Sequence, residues 1–536
     1  MSDSPVAGAS APAGQPPAEK PWKPRANPWL IAVVVTVAAF MEILDTTIVN
    51  VSLPHIAGSL SSTYDDATWT LTSYLVANGI VLTISGWLGK LLGRKRYFLI
   101  CIFMFTVSSF LCGMATSLPE LIVFRLMQGF FGGGLQPNQQ SIILDTFPPE
   151  RRAAAFGLTA IATIVAPVIG PALGGWITDN YSWRWIFFIN VPVGLAATFA
   201  VSMIVEDPPW AGKQKAPLDI VGIGLIAIGF GCLEVAVDRG EDEDWFGSSM
   251  IRTMAVLAVL GIGGAVVWLL RTKRPAVDLR VFKDRNFATG TLLIGAVGAL
   301  LYAAAIIVPQ YAQQVMGYTA TLSGLILSPG GIAVIILIPL VGRSMKYLSL
   351  RTLIAMGFFF MGVSLFWSAH LVPLLDFRHL VFFRMTQTAS LAFLFVPIST
   401  ITFATLPREL NGDASALFSM ARNVLGSIAI SGSTAMLTEI RQAHQTQMVH
   451  WMTPFHQPYN DYLAHARQAA AGRGVAQGAL DAVAQHRLFV EFTRQIAILA
   501  YNEVFMILGI GAFLVVPFCF LLSPIKGGGK KPSAGH

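Results

Sequence analysis

Charge is what this chain has least of. Only 12% of its 536 residues are Asp, Glu, Lys or Arg, against about 25% in an ordinary soluble domain, and 54% are hydrophobic. With a mean hydropathy of +0.62, the composition excludes a soluble globular protein and leaves an all-α polytopic membrane protein. Cysteine is also scarce. All four, Cys101, Cys112, Cys232 and Cys519, fall inside apolar runs, which excludes a disulfide framework and a cysteine metal site. No phosphate loop, Ser-His-Asp constellation or metal-ligand spacing is present, so neither an enzyme nor a self-contained ATP-driven pump is expected. Five of the nine histidines (His444, His450, His456, His465 and His486) crowd between 440 and 498, but their irregular spacing predicts no metal site. Residues 1–28 lack an apolar core ahead of a small-residue cleavage site. Rich in Pro, Ala, Gly and Ser, they read as a disordered cytoplasmic tail rather than a cleaved signal.

What the chain does have is long apolar runs. Windows of about 20 residues give fourteen candidate spans, centred in 29–50, 68–89, 97–117, 120–142, 155–178, 185–205, 218–237, 251–270, 287–311, 320–341, 352–371, 380–404, 414–438 and 502–523. An even number puts both termini on one side. Basic residues concentrate in loops on that side, including Lys90, Arg94, Lys95, Arg96 and the run from Arg271 to Arg285, while the short opposite loops hold only Arg184, Arg239, Arg252 and Arg378. By the positive-inside rule both termini are cytoplasmic. The net charge of +7 is therefore topological, and no nucleic-acid partner is expected. The long outer loop at 440–498 is exempt from that rule and reads as an amphipathic, partly helical cap.

An internal repeat organises the spans. Arg125-Leu-Met-Gln128 in the fourth span recurs as Arg384-Met-Thr-Gln387 in the twelfth, 259 positions later, and the following loops match at the same offset, Pro148-Pro-Glu150 against Pro407-Arg-Glu409. Same-direction repeats indicate two bundles related by an axis along the membrane normal, rocking about a central cavity. The offset gives a six-helix bundle at 29–206, an inserted helix pair (spans 7 and 8) at 207–275, and a second six-helix bundle at 276–523. A cytoplasmic C-terminal tail, 524–536, follows.

The first span carries two carboxylates, Glu42 and Asp45, three residues apart on one helical face. Charges at that depth are costly and usually face a wet cavity or a partner. Asp45 lies five residues below the outer end of span 1, about 7.5 Å, and Arg125 lies five residues below the outer start of span 4. The two should be level, and the same arithmetic makes Glu42 level with Gln128. Span 9, the repeat equivalent of span 1, offers Tyr302 but no carboxylate.

These stretches resemble a known family. Leu44–Pro54 (LDTTIVNVSLP), Gly86–Arg96 (GWLGKLLGRKR), Ala166–Gly175 (APVIGPALGG) and Trp183–Gly194 (WRWIFFINVPVG) are similar to the motifs of the EmrB-type drug:proton antiporters, the fourteen-span subfamily of the major facilitator superfamily. The inserted pair, the Asp238-Arg-Gly240 turn and the long loop before the last span fit that type. The resemblance implies a major facilitator fold with fourteen transmembrane helices. It also implies proton-coupled multidrug efflux of hydrophobic toxic compounds from the bacterial inner membrane. The implied partners are a periplasmic adaptor (EmrA-type) and an outer-membrane channel (TolC-type). No cofactor is implied, the proton gradient being the energy source. One departure stands out: the family loop carries Asp followed by Arg or Lys where this chain has Lys90 and Leu91. That leaves Arg94, Lys95 and Arg96 to anchor the loop.

On this reading Asp45 is the proton carrier, Glu42 an auxiliary carboxylate, and Arg125 the cation whose approach or retreat governs proton exchange, because a carboxylate's hold on a proton depends on burial and on nearby charge. A permanent structural ion pair is the bland alternative. Each proton supplies about 2.3 kcal/mol per 100 mV and about 1.4 kcal/mol per pH unit. Gln128, Gln136, Asn138, Gln139 and the neighbouring Gln140 are the expected polar cavity lining, with Trp69, Tyr74 and Asn78 from span 2. Arg422 and Asn423 in span 13 either line the cavity or pair with Glu439 or another group. Pro167, Gly170, Pro171, Gly174 and Gly175 form a small-residue surface for tight packing, which the resemblance also makes a hinge or proton seal. Glu234 in span 7 is assigned a structural role. A dedicated proton-coupled exporter of one physiological solute, such as a siderophore or fatty acid, is the alternative function.

Overall fold

The computed structural model describes residues 24–211, 219–370 and 376–524; most of both expected tails lies outside these residues. The first part of the chain forms α1 (Pro28–Ser59), α2 (Tyr64–Leu92), α3 (Arg94–Met114), α4 (Leu118–Gly132), α5 (Leu135–Thr146), α6 (Pro149–Asn180), α7 (Trp185–Phe188) and α8 (Asn190–Ile204). A pair follows, α9 (Ile220–Asp238) and α10 (Ser249–Arg271). The rest forms α11 (Arg285–Gln314), α12 (Ala320–Ser344), α13 (Leu350–Ser368), α14 (Phe377–Thr402), α15 (Asn411–Met448), α16 (Gln457–Ala471) and α17 (Leu480–Val515).

Over its described residues each of the fourteen windows is centred on helix; residues 218 and 371, at the edges of two windows, lie outside the described residues. Among the described residues twelve helices are long and apolar enough to cross a membrane, and the two windows outside that set have physical reasons. The fourth window is divided between α4 and α5 at Gly133 and Gly134. A Cβ on Gly133 would lie 2.4 Å from the Asn78 carbonyl oxygen and one on Gly134 2.4 Å from the Tyr97 hydroxyl, so glycine lets this step press against α2 and α3. The thirteenth window lies in α15, whose polar residues dilute its hydropathy. Helix starts are set by short polar caps: Asp284 accepts from the Phe287 N–H at 2.8 Å, Ser349 from Thr352 at 3.2 Å and Asp376 from His379 at 3.1 Å, each satisfying an amide the helix leaves open.

Packing follows the repeat. α1 lies along α6, α2 along α4, and α3 along α4 and α8; in the second part α11 lies along α15, α12 along α14, and α13 along α14 and α17. The two sets meet where α6 runs along α12 and α2 along α15, with Gly324 against Ala172 at a spacing that leaves no room for a Cβ. α9 and α10 pack on each other, and α9 touches both α2 and α15. Outward residues such as Met203, Phe199 and Val259, each about 70% exposed, present apolar surface of the kind lipid covers. The long loop is helical as expected: α15 continues to Met448, and α16 folds back on the start of α17 through Leu463, Ala466 and Ala484.

Candidate functional site

α1 brings Glu42 and Asp45 onto one face, both buried, at 2% and 1% exposure. Asp45 is fully enclosed by hydrogen-bond donors. Arg125 Nη1 donates to its Oδ2 at 2.6 Å, while Gln128 Nε2 at 2.9 Å and Asn190 Nδ2 at 2.7 Å donate to its Oδ1. Arg125 itself is held by the Thr70 carbonyl, which accepts from Nε at 3.2 Å, and by Gln128 Oε1 at 2.9 Å from Nη1. Such added hydrogen bonds offset the cost of burying the two charges, although Arg125 Nη2 reaches no acceptor among the described residues. The level placement of Asp45 and Arg125 expected from helix rise is thus realised as a direct ion pair.

Gln128 departs from expectation. It bonds Asp45, not Glu42, because it stands one turn from Arg125 on the same α4 face and both long side chains turn to the same carboxylate. Glu42, one turn deeper, is met from beyond the glycine step, where Gln136 Nε2 donates to Oε2. Its Oε1 accepts from the Tyr74 hydroxyl at 3.2 Å and from Asn78 Nδ2 at 3.1 Å. Tyr74 also carries the Arg125 guanidinium over its ring, 4.2 Å from the centroid. Tyr74 and Asn78, expected to line the cavity, are buried partners of Glu42.

The chain of contacts crosses from one repeat to the other. Gln136 Oε1 accepts from Arg422 Nη2 of α15, and Arg422 Nε donates to Asn423 Oδ1 at 3.2 Å. Gln140 on the same α5 face accepts from Ser419 Oγ at 3.5 Å. Arg422 therefore partners Gln136 and Asn423. A side-chain relay runs unbroken from Asn190 through Asp45, Arg125, Tyr74, Glu42 and Gln136 to Arg422. Beside it a small cavity is lined by Gln136, Gln139, Gln140, Phe395, Ser399 and Arg422.

Two expected lining residues are elsewhere. Asn138 lies on the opposite face of α5 from Gln136 and Gln139, as the 3.6-residue period requires, and donates to the Arg94 carbonyl at 3.0 Å. Trp69 sits near the start of α2 under the Arg239 guanidinium, 5.0 Å away, where the turn after α9 covers it. In α6, Pro167 and Pro171 are carried within one continuous helix. Gly170 and Gly174 bring α1 close: added Cβ atoms would meet Thr47 Oγ1 at 2.0 Å and the Ile48 carbonyl oxygen at 3.0 Å. Gly175 is buried on the same helix. This surface packs tightly, in agreement with the structural half of the expectation. Glu234 accepts from Ser427 at 2.8 Å, tying α9 to α15.

At the end nearer the termini, Lys90 of α2 bonds Asp413 of α15 at 2.5 Å. Arg94 pairs with Asp145, whose Oδ1 also accepts from Asn411 at 3.2 Å. Lys95 Nζ donates to the Ser202 carbonyl at 2.7 Å, and Arg96 is exposed. Sequence reasoning missed Asp413, Asp145 and Asn190. Of these only Asn190, a lone amide in an apolar run, gave a signal.

Comparison with known proteins supplies the family. Residues 35–430 match the Major Facilitator Superfamily. The chain is 38% identical over 488 residues to Multidrug export protein EmrB of Escherichia coli (strain K12), covering 91% of this chain and 93% of that one. It is 33% identical over 505 residues to Fatty acid resistance protein FarB of Neisseria gonorrhoeae, covering 94% and 97%. Its fold resembles the crystal structure of a double Trp mutant of XylE, with a TM-score of 0.58 at 14% identity, covering 94% and 97%.

Proposed function

From the premise that the chain belongs to the major facilitator superfamily, as a transporter of the EmrB type, we propose that it exports varied hydrophobic toxic compounds in exchange for protons, with Asp45 as the proton carrier. The observation that carries this reading is the enclosed Asp45–Arg125 pair inside a membrane-spanning helix, joined by side chains to Arg422 of the other repeat. Protonation and the ion pair are alternatives, since a proton on Asp45 removes the charge that Arg125 answers. A rocking motion that moves α15 from α5 pulls on Gln136 and hence on Glu42, which gives cargo movement a route to the proton site. Glu42 is the second carboxylate of this route.

The bacterial inner membrane, with both termini cytoplasmic, suits the distribution of basic loops. The paired ends of α2 and α15 then close the cytoplasmic side. The EmrA-type periplasmic adaptor and TolC-type outer-membrane channel remain the partners to seek, and the proton gradient serves without a cofactor. The likeness to FarB favours one second reading, export dedicated to fatty acids; deleting the protein and finding resistance altered for that class alone would select it.

The deciding experiment uses the purified protein in proteoliposomes under a pH gradient. Asp45→Asn is expected to lower proton-driven transport at least a hundredfold while drug binding stays within threefold of wild type. Retained proton-driven transport would remove Asp45 from the role.

A further inference from the structure

Arg384 on α14 is the repeat counterpart of Arg125, yet its surroundings differ. Its side chain is buried, at 2% exposure. Nη1 donates to Gln387 Oε1 at 3.2 Å, but Nε and Nη2 reach no acceptor among the described residues. These two groups lie on one edge of the guanidinium, where their N–H bonds run parallel, and that edge grips a carboxylate with two hydrogen bonds. The 259-residue offset that matches Arg384 to Arg125 matches Asp45 to Ala304 on α11, which is 1% exposed. Its methyl group offers the cation nothing.

Helix geometry puts the position in line with the cavity. Phe395 and Ser399 of α14 line the central cavity. Arg384 precedes Phe395 by eleven residues, three helical turns, so it shares that face about 16 Å nearer the outer side. Gln387 donates to Ser368 Oγ at 2.8 Å, which keeps this stretch polar. An intramembrane cation without a counter-charge among the described residues points to a pathway function.

We propose that Arg384 is a receptor for the carboxylate of amphipathic organic acids among the exported compounds, engaged in the outer half of the path when the repeats part. The cargo supplies the carboxylate that Asp45 supplies in the first repeat. This rests on the exporter reading above.

The test is equilibrium binding of decanoate and of the neutral decanol to the purified full-length protein at pH 7.5. Wild type is expected to prefer decanoate at least tenfold. Arg384→Gln and Ala304→Asp, the latter giving the cation an internal partner, are each expected to abolish that preference, and Arg384→Lys, which keeps charge without the fork, to retain part of it. A wild type without the preference, or both variants keeping it, overturns the proposal. So does a parallel loss of both ligands in folded, monodisperse variants, which would mark a structural role. The exporter reading fails by a separate sign, the absence of proton-driven transport by wild type, whatever the binding ratio.

Discussion

The two Arg-x-x-Gln copies sit in helices that pack alike, yet one arginine has a carboxylate partner and leaves only Nη2 without an acceptor, while the other has no carboxylate and leaves both Nε and Nη2 without one among the described residues. Arg125 meets a carboxylate, a carbonyl, a glutamine and an aromatic ring. Among the described residues Arg384 meets only Gln387 by hydrogen bond. Duplication preserved the scaffold, with the α1–α6 pairing repeated as α11–α15 and α2–α4 as α12–α14, while one substitution class, Asp45 against Ala304, separated the chemistry. Asp45 has no carboxylate at the matching position, Ala304, so under the proposed function the proton site belongs to the first repeat and the second is free to use its cation otherwise.

The sharpest way to break this comparison is to remove each arginine in turn and measure stability. Arg125→Gln leaves Asp45 as a buried charge without its counter-ion, which costs about 3–5 kcal/mol. Arg384→Gln removes a buried charge that has no charged partner to strand among the described residues, only Gln387, and should cost less than about 1 kcal/mol or stabilise, since an unpaired buried charge is itself unfavourable. Thermal unfolding in detergent should therefore fall steeply for the first variant and barely for the second. Equal losses would mean that Arg384 is as structurally committed as Arg125. A second, smaller effect is expected on the relay. Glu42→Gln keeps hydrogen-bonding capacity toward Tyr74 and Gln136 but cannot exchange a proton, and should slow proton-driven transport about tenfold, roughly 1.4 kcal/mol. An unchanged rate would confine proton handling to Asp45.

Much of this was legible in the sequence because it depends on period and depth. Apolar length revealed the spans, the matched Arg-x-x-Gln copies revealed the repeat, and helix rise put Asp45 level with Arg125. What depends on rotation and reach was hidden. Helix rise cannot say that the Gln128 side chain climbs to Asp45, nor that the glycine step at Gly133 and Gly134 turns Gln136 to Glu42 and sends Asn138 to the opposite face. Trp69 was misjudged because its partner, Arg239, comes from the inserted pair, 170 positions away. Asp413 and Asp145 gave no signal because each lies beside a loop, where acidic residues are unremarkable until a basic partner is found across the seam.

That seam yields the smallest and most specific expectation. Where the family loop carries Asp, this chain has Lys90, and its partner Asp413 belongs to the other repeat. Lys90 is 30% exposed on its side chain and Asp413 only 2%, so the pair is partly screened and is worth about 1 kcal/mol, a factor of about five in the balance between closed and open states of the end nearer the termini. A cysteine placed at Ser419, buried in the seam beside Gln140, reports that balance in a background freed of the four native cysteines. Lys90→Ala should raise its labelling by a water-soluble thiol reagent added to the purified protein about fivefold. The exchange Lys90→Asp with Asp413→Lys should return labelling to within twofold of the parent, because attraction across the seam depends on opposite signs and not on which repeat carries which. If the exchanged protein labels as fast as Lys90→Ala, the contact does not act through charge, and the departure at Lys90 has to be explained by packing against Gly86 and Gly412, where an added Cβ on Gly86 would lie 2.8 Å from the Gly412 backbone.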